Sequence, residues 1–423
     1  MKLLRVAALL LCSVLAFAGD LVDREPAVPL MFEARAALGK RDFPTAIAKM
    51  QEALKLAPDD APMLFALAQI YARAGEKQKA METLDRVAAM GLGFHPDIDP
   101  SFKALAQEPG WPALLKKFDD HLPQVAKSTV AFTIAEPDLY PEGIACDPRA
   151  KAFYVGSTVK RKILRVGAGG TAADFVASKQ DGIQLVLGLK LDREGKSLWA
   201  VASAATDFGH ADNVSGIYRY DLKTGKLLEK HLMPTTEPHF LNDLDITANG
   251  DVYATDVLAG TVYRFVPGSD NAPEAVVEPG KLRGANGIAF SPDGNFLYVA
   301  ASGRGLSLID MKAKRLSVVL LPHGVATVGI DGLYWHRNSL VGIQNVLGRA
   351  RVMRWQLAAP TGIGHSEILD QMRPELEEPT TGTFCGDDFH YLANTQLNHA
   401  DDKGQPEAGY KTKPVIVLKI RLR

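Results

Sequence analysis

The spacing of hydrophobic residues divides the chain into two regions with different periods. From Pro29 to about Leu122, apolar residues recur every three or four positions, as on one face of a helix. From Ser128 onward, short runs of alternating apolar residues are separated by Gly, Asp, Asn and Pro, which is typical of strands and turns. The pattern therefore predicts a small α-helical domain at residues 28–122 and a mainly β domain at residues 128–423.

The helical region repeats itself at an offset of 34 residues, the period of tetratricopeptide repeats. Small residues at the paired positions would let antiparallel helices approach closely, and Pro58 stands where the second helix must end. The resemblance covers two repeats and is followed at His95–Phe118 by a predicted capping helix pair. Four residue pairs carry the repeat: Ala34 with Ala68, Ala46 with Ala80, Met50 with Leu84, and Ala53 with Val87.

Two repeats are fewer than the three usually needed for independent stability, so we expect this helical module to dock on the rest of the chain. One functional interpretation is a binding surface for a protein partner. The alternative is a packing module or lid, which the small number of repeats favours because it leaves no long concave groove.

The β region also repeats, with one short signature per unit. Each instance has a first residue, then Gly or Asp, then alternating apolar residues, a turn, and a strand containing Tyr or Trp. Successive first positions differ by 45, 55, 44, 45 and 50 residues, so each unit has room for four short strands. The six instances begin at Glu142, Leu187, Asn242, Asn286, Asp331 and Thr381.

Six four-stranded units at this spacing predict a six-bladed β-propeller, which avoids long exposed edges by closing into a ring. The strand Pro414–Arg421 completes the last blade, and Thr129–Ile134 is the candidate to cross over and close the circle. The fourth unit gives the plan most clearly, with a turn at Ser291–Gly294. Its four predicted strands are Gly287–Phe290, Phe296–Ala300, Leu306–Asp310 and Leu316–Leu320.

The six first positions should form a ring around the propeller axis, because the innermost strand of every blade lines the central channel. Four of them, Glu142, Asn242, Asn286 and Asp331, offer hard oxygen atoms, and none is His or Cys. This chemistry suits Ca²⁺, with Mg²⁺ or Mn²⁺ as alternatives, and two carboxylates balance a divalent charge. The competing interpretation is local, since Asn-Gly and Asp-Gly are common turn pairs.

The ordered motifs Pro141–Gly143, Asn242-Asp243, Asn286–Ile288 and Asp331-Gly332 resemble those of the regucalcin/gluconolactonase (senescence marker protein) family. This resemblance covers about Ser128 to Arg423. It implies a divalent metal held by Glu142, Asn286 and Asp331, with Asn242 as a further ligand or a substrate contact. It also implies hydrolysis of a lactone or related ester, with Asp331 as the base. A long insertion in blade two and the attached helical domain depart from the simplest members, so the substrate does not carry over.

Loops expected on the same face as the ring supply further candidates. His239 precedes Asn242 by three residues and is the first candidate for proton transfer, because imidazole accepts a proton near neutral pH. His210 in blade two and Asn398 in blade six are candidate substrate-binding residues. For each histidine the alternative is a surface or packing role. A Gly-x-Ser-x-Gly elbow is absent from the sequence, which argues against a serine hydrolase.

The first 18 residues have the pattern of a secretory signal peptide: two basic residues, an apolar run, and small residues at Ala16 and Ala18. The apolar run is too short to be a transmembrane anchor, so we expect an exported protein, periplasmic or secreted. Cys12 invites a lipoprotein alternative, but Leu11 is bulky for a lipidation site. The remaining Cys146 and Cys385 occupy equivalent positions in blades one and six, and rotational equivalence predicts buried free thiols.

Composition narrows the function further. The net charge is −1, which excludes a global attraction to nucleic acid or to anionic membranes. The leading hypothesis is a metal-dependent hydrolase of the gluconolactonase-like type acting on a small lactone or ester. The alternative is a non-catalytic binding protein that combines a propeller, a structural metal and helical repeats.

Overall fold

The computed structural model describes residues 21–136, 138–204, 213–401 and 405–422. The predicted signal peptide at residues 1–18 and His210 lie outside the described residues. A helical region related to tetratricopeptide repeats is followed by a six-bladed β-propeller, so the predicted fold class is confirmed.

The helical region consists of two antiparallel helix pairs and one further helix. Asp42 and Asp60 are the N-cap residues of the second and third helices, and their carboxylates accept hydrogen bonds from Thr45 N (3.2 Å) and Met63 N (2.8 Å). Short strands flank the region at β1 (Leu21–Val22) and β2 (Val125–Ala126). The helices are α1 (Val28–Gly39), α2 (Phe43–Leu56), α3 (Ala61–Arg73), α4 (Lys77–Ala88) and α5 (Trp111–Asp120), with 3-10 segments at Glu25–Ala27, Pro96–Ile98 and Pro100–Leu105.

The repeat found in the sequence is the core of this region. All eight residues of the four 34-residue pairs are buried, none more than 4% exposed. The predicted capping helix pair is only half correct, because α5 is an α-helix but residues 96–105 form 3-10 turns. Pro96 and Pro100 explain the difference, since each begins a short turn and neither can donate a backbone hydrogen bond within a longer helix.

The propeller strands follow the predicted repeat closely, and in blade four each predicted strand is found within two residues of its expected ends. The strands, in chain order, are β3 (Thr129–Ile134), β4 (Pro141–Asp147), β5 (Ala152–Ser157), β6 (Lys162–Gly167), β7 (Ala172–Val176), β8 (Leu185–Leu191), β9 (Ser197–Ala204), β10 (Val214–Asp221), β11 (Leu227–Leu232), β12 (Leu241–Ile246), β13 (Val252–Asp256), β14 (Thr261–Phe265), β15 (Glu274–Ala275), β16 (Ala285–Phe290), β17 (Phe296–Ala301), β18 (Gly305–Asp310), β19 (Arg315–Val318), β20 (Leu321–Pro322), β21 (Ile330–His336), β22 (Ser339–Gln344), β23 (Arg351–Ala359), β24 (Gly362–Gln371), β25 (Gly382–Cys385), β26 (Asp388–Leu392) and β27 (Val415–Arg421).

Blades one to five are antiparallel sheets that begin with β4, β8, β12, β16 and β21, and β2 adds an outer strand to blade five. Blade six has the order β25-β26-β27-β3, so its outer strand comes from the start of the propeller and its inner strands from the end. Val415 pairs with Ile134 in this closing ladder. The predicted crossover is therefore confirmed, and it ties the two ends of the propeller together.

The first strands of blades one to five share a shift in register, but blade six does not. In blade one, for example, the shift lies between Pro141 and Ile144, whereas the β25–β26 ladder runs without interruption from Gly382. As a result Thr380, whose carbonyl accepts a hydrogen bond from Gly332 N (3.1 Å), holds the sixth ring position. The prediction of Thr381 for this position is wrong by one residue, because a missing bulge moves every following side chain.

The same one-residue shift overturns the prediction of two free thiols. Cys146 and Cys385 form a disulfide between blades one and six, with their Cα atoms 5.8 Å apart. Cys146 packs into the apolar cluster between these blades, and Phe384 faces the cluster between blades five and six. Cys385 therefore points the opposite way, toward blade one, since neighbouring side chains of a strand alternate. The two cysteines are not rotationally equivalent.

The helical region docks on the propeller, as its small number of repeats predicted. Its core continues into Ala326 and Leu347 of the propeller loops, and β1 pairs with β20. No helix in the described part of the chain is long and apolar enough to cross a membrane.

The disulfide gives a testable prediction for the closing blade. We expect the Cys146→Ser, Cys385→Ser double variant to lose about 2–4 kcal/mol of stability, because the bond restricts the unfolded chain over a separation of 239 residues. Thermal unfolding with and without reductant measures the effect, and the double variant is the control because reductant should not change its Tm. A wild-type Tm that does not respond to reductant, after two thiols have been titrated, would contradict the prediction.

Candidate metal centre

The ring side chains project from the starts of the first strands, at one end of the central channel. Glu142 lies in β4 and Asp331 in β21, and both are buried, at 5% and 8% exposure. Asn242 in β12 and Asn286 in β16 are partly buried. The structure therefore places all four residues predicted as metal ligands at the starts of first strands, where the charge of Asp331 acts on Glu142 and Asn286 hydrogen-bonds to Asp331.

Glycine at the next position allows this convergence. A Cβ atom on Gly143 would lie 1.9 Å from Leu187 O, and one on Gly287 would lie 2.2 Å from Asp331 O. Neighbouring first strands thus approach each other too closely for any side chain at these two positions. The close approach of the strands holds the ring residues near the axis.

Four oxygen atoms at this end of the channel are buried and have no hydrogen-bond partner among the described residues: Glu142 Oε2, Asn242 Oδ1, Asn286 Oδ1 and Asn345 Oδ1. Buried oxygens without a partner are costly, and native structures contain few of them. Carboxylate and amide oxygens are the ligands that Ca²⁺ prefers. The donor set therefore fits a hard divalent cation.

The composition of the ring limits the kind of ion. In the described ranges, no three His, Cys, Asp or Glu side chains come together in a metal-binding arrangement. A cation here would take much of its coordination from the amides of Asn242, Asn286 and Asn345. Amide oxygens suit Ca²⁺ and Mg²⁺ better than transition metals that favour imidazole or thiolate.

The carboxyl groups of the channel are held in an environment that disfavours charge. Burial raises the pKa of Glu142 well above its ordinary value, and the negative charges of Asp331 and Asp243 add to this effect. Burial raises the pKa of Asp331 to about 6, against the hydrogen bonds from Asn345 and Asn286. Burial also raises the pKa of Asp243 to about 7, although the Leu244 amide and Lys190 act in the opposite direction. A cation would stabilise the charged forms of all three acids.

Sequence reasoning missed several residues of this centre. In four other blades the ring residue is followed by glycine, but Asn242 is followed by Asp243. This break in the repeat could have identified Asp243 from the sequence. Asn345 follows β22 and donates from Nδ2 to Asp331 Oδ2 (2.6 Å) and Pro379 O (2.9 Å), a contact that no local pattern indicates. Glu378 lies two residues before Thr380, and its charge acts on Asp331.

The other predicted residues contact side chains outside the six ring positions. His239 Nδ1 is 2.6 Å from Asp256 Oδ2, and its ring packs against Tyr263 at 5.6 Å between ring centres. These partners belong to the second and third strands of blade three, so the described contacts of His239 lie outside the ring. Asn398 lies in a 3-10 turn, and its backbone amide donates to Glu378 at 3.2 Å. The catalytic role of His239 and the substrate role of Asn398 stay predictions.

This arrangement has the components of a Lewis-acid site. It combines the buried carboxylates of Glu142 and Asp331, the charge of Asp243 acting on Glu142, and amide oxygens without hydrogen-bond partners among the described residues. The geometry is equally compatible with a metal that only holds the blades together.

Comparison with known proteins supports the two-part architecture. A tetratricopeptide repeat family model matches residues 33–92. The Malassezia sympodialis allergen Mala s 1 resembles the propeller with a TM-score of 0.53 at 16% identity, covering 68% of this chain and 95% of the allergen. At this identity the likeness establishes the fold alone. No curated protein sequence matches the chain significantly.

Two other solved structures have lower similarity. A gluconolactonase from Xanthomonas campestris has a TM-score of 0.47 at 16% identity, covering 71% of this chain and 91% of its own. The calcium-binding protein regucalcin from Agrobacterium tumefaciens has the same TM-score and identity, covering 71% of this chain and 95% of its own.

The raised pKa of Asp331 predicts how metal-free protein responds to pH. The pKa rises from 3.8 to about 6 on folding, so the stability linked to this group is fully present below about pH 4 and is lost as the pH rises through about 6. We expect wild type to lose on the order of 3 kcal/mol over this range relative to Asp331→Asn. Thermal unfolding of both proteins in a chelator, from pH 4 to 7.5, measures the difference.

Saturating Ca²⁺ should remove this difference in wild type, because the bound cation favours the deprotonated carboxyl. The Asp293→Asn variant is a suitable control, since Asp293 lies in an exposed turn and its pKa is lowered by the Ser291 hydroxyl. Parallel pH profiles for wild type and Asp331→Asn in chelator would refute the interpretation.

Proposed function

We propose that this chain is a metal-dependent hydrolase of the gluconolactonase-like type, acting on a lactone or related ester at the end of the propeller channel where the ring residues lie. The observation that carries the proposal is the set of four buried oxygens without partners around Glu142 and Asp331. The sequence motifs that resemble the regucalcin/gluconolactonase family lend support, and membership of that family is part of the proposal. The particular lactone or ester is left open.

Glu142, Asn286 and Asp331 would hold the cation, with Asn242 as a further ligand or a substrate contact. Ca²⁺ is the preferred ion, and Mg²⁺ or Mn²⁺ are alternatives. When bound, a divalent cation in such a site polarises a carbonyl and stabilises the charge that develops on its oxygen. Where it is not a ligand, the Asn242 amide would orient the substrate carbonyl, and the buried position of Glu142 and Asp331 would exclude bulk water.

Asp331 is the base that we propose for activating water. Its pKa of about 6 in the metal-free protein leaves it largely deprotonated at neutral pH, and a bound cation would favour that form further. Asp243, with a pKa of about 7, is a second group in the channel that could hold that proton. His239 is less suited, because Asp256 and Tyr263 occupy its surroundings.

A second candidate function is a binding protein in which the metal is structural. The match of residues 33–92 to tetratricopeptide repeats favours it, since such repeats commonly bind proteins. Against a conventional groove, α3 is covered by the chain itself: Phe65 packs on Phe94 and Phe102, and Gln69 Nε2 donates to Asp99 Oδ2. This candidate predicts that chelation lowers the Tm while lactones and esters are not hydrolysed.

Export to the periplasm or the outside of the cell is also part of the proposal. It rests on the signal-like pattern of the first 18 residues. The disulfide between Cys146 and Cys385 supports it, because such bonds persist mainly in oxidising compartments.

Replacing a ligand tests the metal mechanism directly. We expect Glu142→Gln to abolish Ca²⁺ retention and to lower hydrolysis of a lactone and ester panel by about 100-fold or more, because both the charge and the ligand are lost. Isothermal titration with Ca²⁺ and initial-rate assays measure the two effects. Glu274→Gln is the matched control, since the side chain of Glu274 is 72% exposed on the outer edge of blade three. Full activity of metal-free wild type would refute the mechanism.

The choice of base has its own test. We expect His239→Gln to keep its hydrolytic rate within about tenfold of wild type, because a general base contributes 10²–10⁴-fold and Asp331 retains that role. The comparison is valid only if Ca²⁺ affinity is unchanged, so binding is measured on the same sample. A loss of about 100-fold with normal Ca²⁺ binding would instead identify His239 as the base.

A further inference from the structure

The helical module docks beside the candidate metal centre. The ring residues lie where the first strands begin, and the loops between second and third strands open at that same end. Leu347, in this loop of blade five, is part of the apolar core of the module, together with Ala326 from the connector that leads into β21. The module therefore contacts two segments next to Asp331: the loop after β22 and the connector that leads into β21.

The loop Asn345–Arg349 joins Asp331 to the module. At its first residue, Asn345 Nδ2 donates to Asp331 Oδ2 (2.6 Å), and the Asn345 amide donates to Gly329 O (3.2 Å). At its other end the loop pairs with the module: His95 N donates to Leu347 O (2.7 Å), and the Arg349 amide donates to Gly93 O (3.1 Å). Only one residue separates Asn345, which contacts the ring, from Leu347, which contacts the module.

Arg349 is the polar centre of this contact. Its Nε lies 2.9 Å from Asp119 Oδ1, at the end of α5, and its Nη1 lies 3.3 Å from Asp97 Oδ2. Its Nη2 lies 3.0 Å from Nε2 of His95, which is 1% exposed. A partly buried guanidinium with partners on two segments of the module holds the end of the loop in one place.

Gly348 makes the approach possible. Its φ of +112° is unfavourable for other residues, and a Cβ atom there would lie 2.7 Å from the His95 Cβ and carbonyl oxygen. The loop and the module segment therefore approach each other without intervening side chains.

The connector before Asp331 is held by hydrogen bonds from Gln344 and by contact with the module. Gln344, which is fully buried, donates from Nε2 to Val328 O (2.7 Å) and Ala326 O (3.2 Å), and Arg351 Nε donates to its Oε1 (2.7 Å). Val328 packs against the core of the module. The module therefore contacts both segments that support Asp331, which are the loop Asn345–Arg349 and the connector that leads into β21.

We propose that the helical module is a positioning element of the metal centre: through Arg349 it fixes the Asn345–Arg349 loop, and the loop fixes Asn345 against Asp331. Arg349 is then a positioning residue that acts on the metal affinity from the contact with the module, and Asn345 carries its effect to Asp331. The inference rests on the metal part of the proposed function and is independent of whether the centre hydrolyses anything.

The full-length chain tests this with Ca²⁺ as the probe. We expect Arg349→Gln to weaken Ca²⁺ binding by about tenfold or more, the usual cost of losing a group that orients a metal ligand. The matched control is Glu25→Gln, which breaks another ion pair between the module and the propeller, Glu25 with Arg304 (2.6 Å), without touching the loop. We expect Glu25→Gln to lower the Tm and to leave the Ca²⁺ affinity unchanged.

A double-mutant cycle separates positioning from a general loss of stability. If Arg349 acts through Asn345, Arg349→Gln should have little further effect on Ca²⁺ affinity in the Asn345→Ala background. Additive losses, or an Arg349→Gln variant with wild-type affinity, would overturn the proposal. An equal loss of affinity in Glu25→Gln would do the same, because it would assign the effect to the whole interface.

A metal-free measurement keeps the test independent of the proposed function. Hydrogen exchange at the Asn345 amide should be faster in Arg349→Gln than in wild type or Glu25→Gln, since this amide reports the contact with Gly329 O. If wild type binds none of Ca²⁺, Mg²⁺ and Mn²⁺, the proposed metal centre and the effect of Arg349 on metal affinity are both refuted, and the exchange rate then tests only whether Arg349 positions the loop. Unchanged exchange at Asn345 in Arg349→Gln would refute that role.

Discussion

The close approach of neighbouring first strands around the axis is the constraint on which the rest of this structure depends. Gly143 and Gly287 leave no room for a side chain, and each faces the backbone carbonyl of the next ring residue. Strands packed this tightly bring the side chains at their starts into one small volume. When those side chains are carboxylates and amides, the same packing removes them from water and leaves their oxygens without partners.

A site of this kind is unfavourable without a cation, and the acids respond accordingly. Burial raises the pKa of Glu142, Asp243 and Asp331 together, so the channel end resists holding several negative charges at once. Burial of these acids destabilises the metal-free protein, and the same burial would favour binding of a cation. This explains why a catalytic and a structural metal are hard to separate by geometry, and why rates and stability must be measured on the same variants.

The helical module gives the protein an asymmetry that a propeller alone lacks. It contacts loops of blades four and five, and through Arg349 it reaches the loop that places Asn345 beside Asp331. Its helical repeats are too few to stand alone, and part of α3 is covered by the segment around Phe94 and Phe102. The module is therefore better described as part of the site's support than as a separate binding domain, although a partner surface elsewhere on it stays a prediction.

The sequence alone determined what depends on periodicity. The 34-residue repeat gave the helical core, and the spacing of about 45 residues gave six blades and the polar residues Glu142, Asn242, Asn286 and Asp331 of the ring. These features follow from local pattern, because each repeat folds in nearly the same way. Tertiary structure decided what breaks the repeat: the missing bulge that moves the ring position to Thr380, and the disulfide that follows from it.

Contacts between distant segments were also beyond the sequence. Asn345 contacts Asp331 from a loop that also pairs with the module, and Asp243 adds an acid to a first strand where most other blades have glycine. Such contacts depend on how whole helices, loops and blades pack against each other. The repeat spacing along the sequence does not predict that packing. The chemistry of the ring at the centre of the propeller was therefore predictable from the sequence. Packing between blades and between domains decided which other residues join the ring and which segments support it.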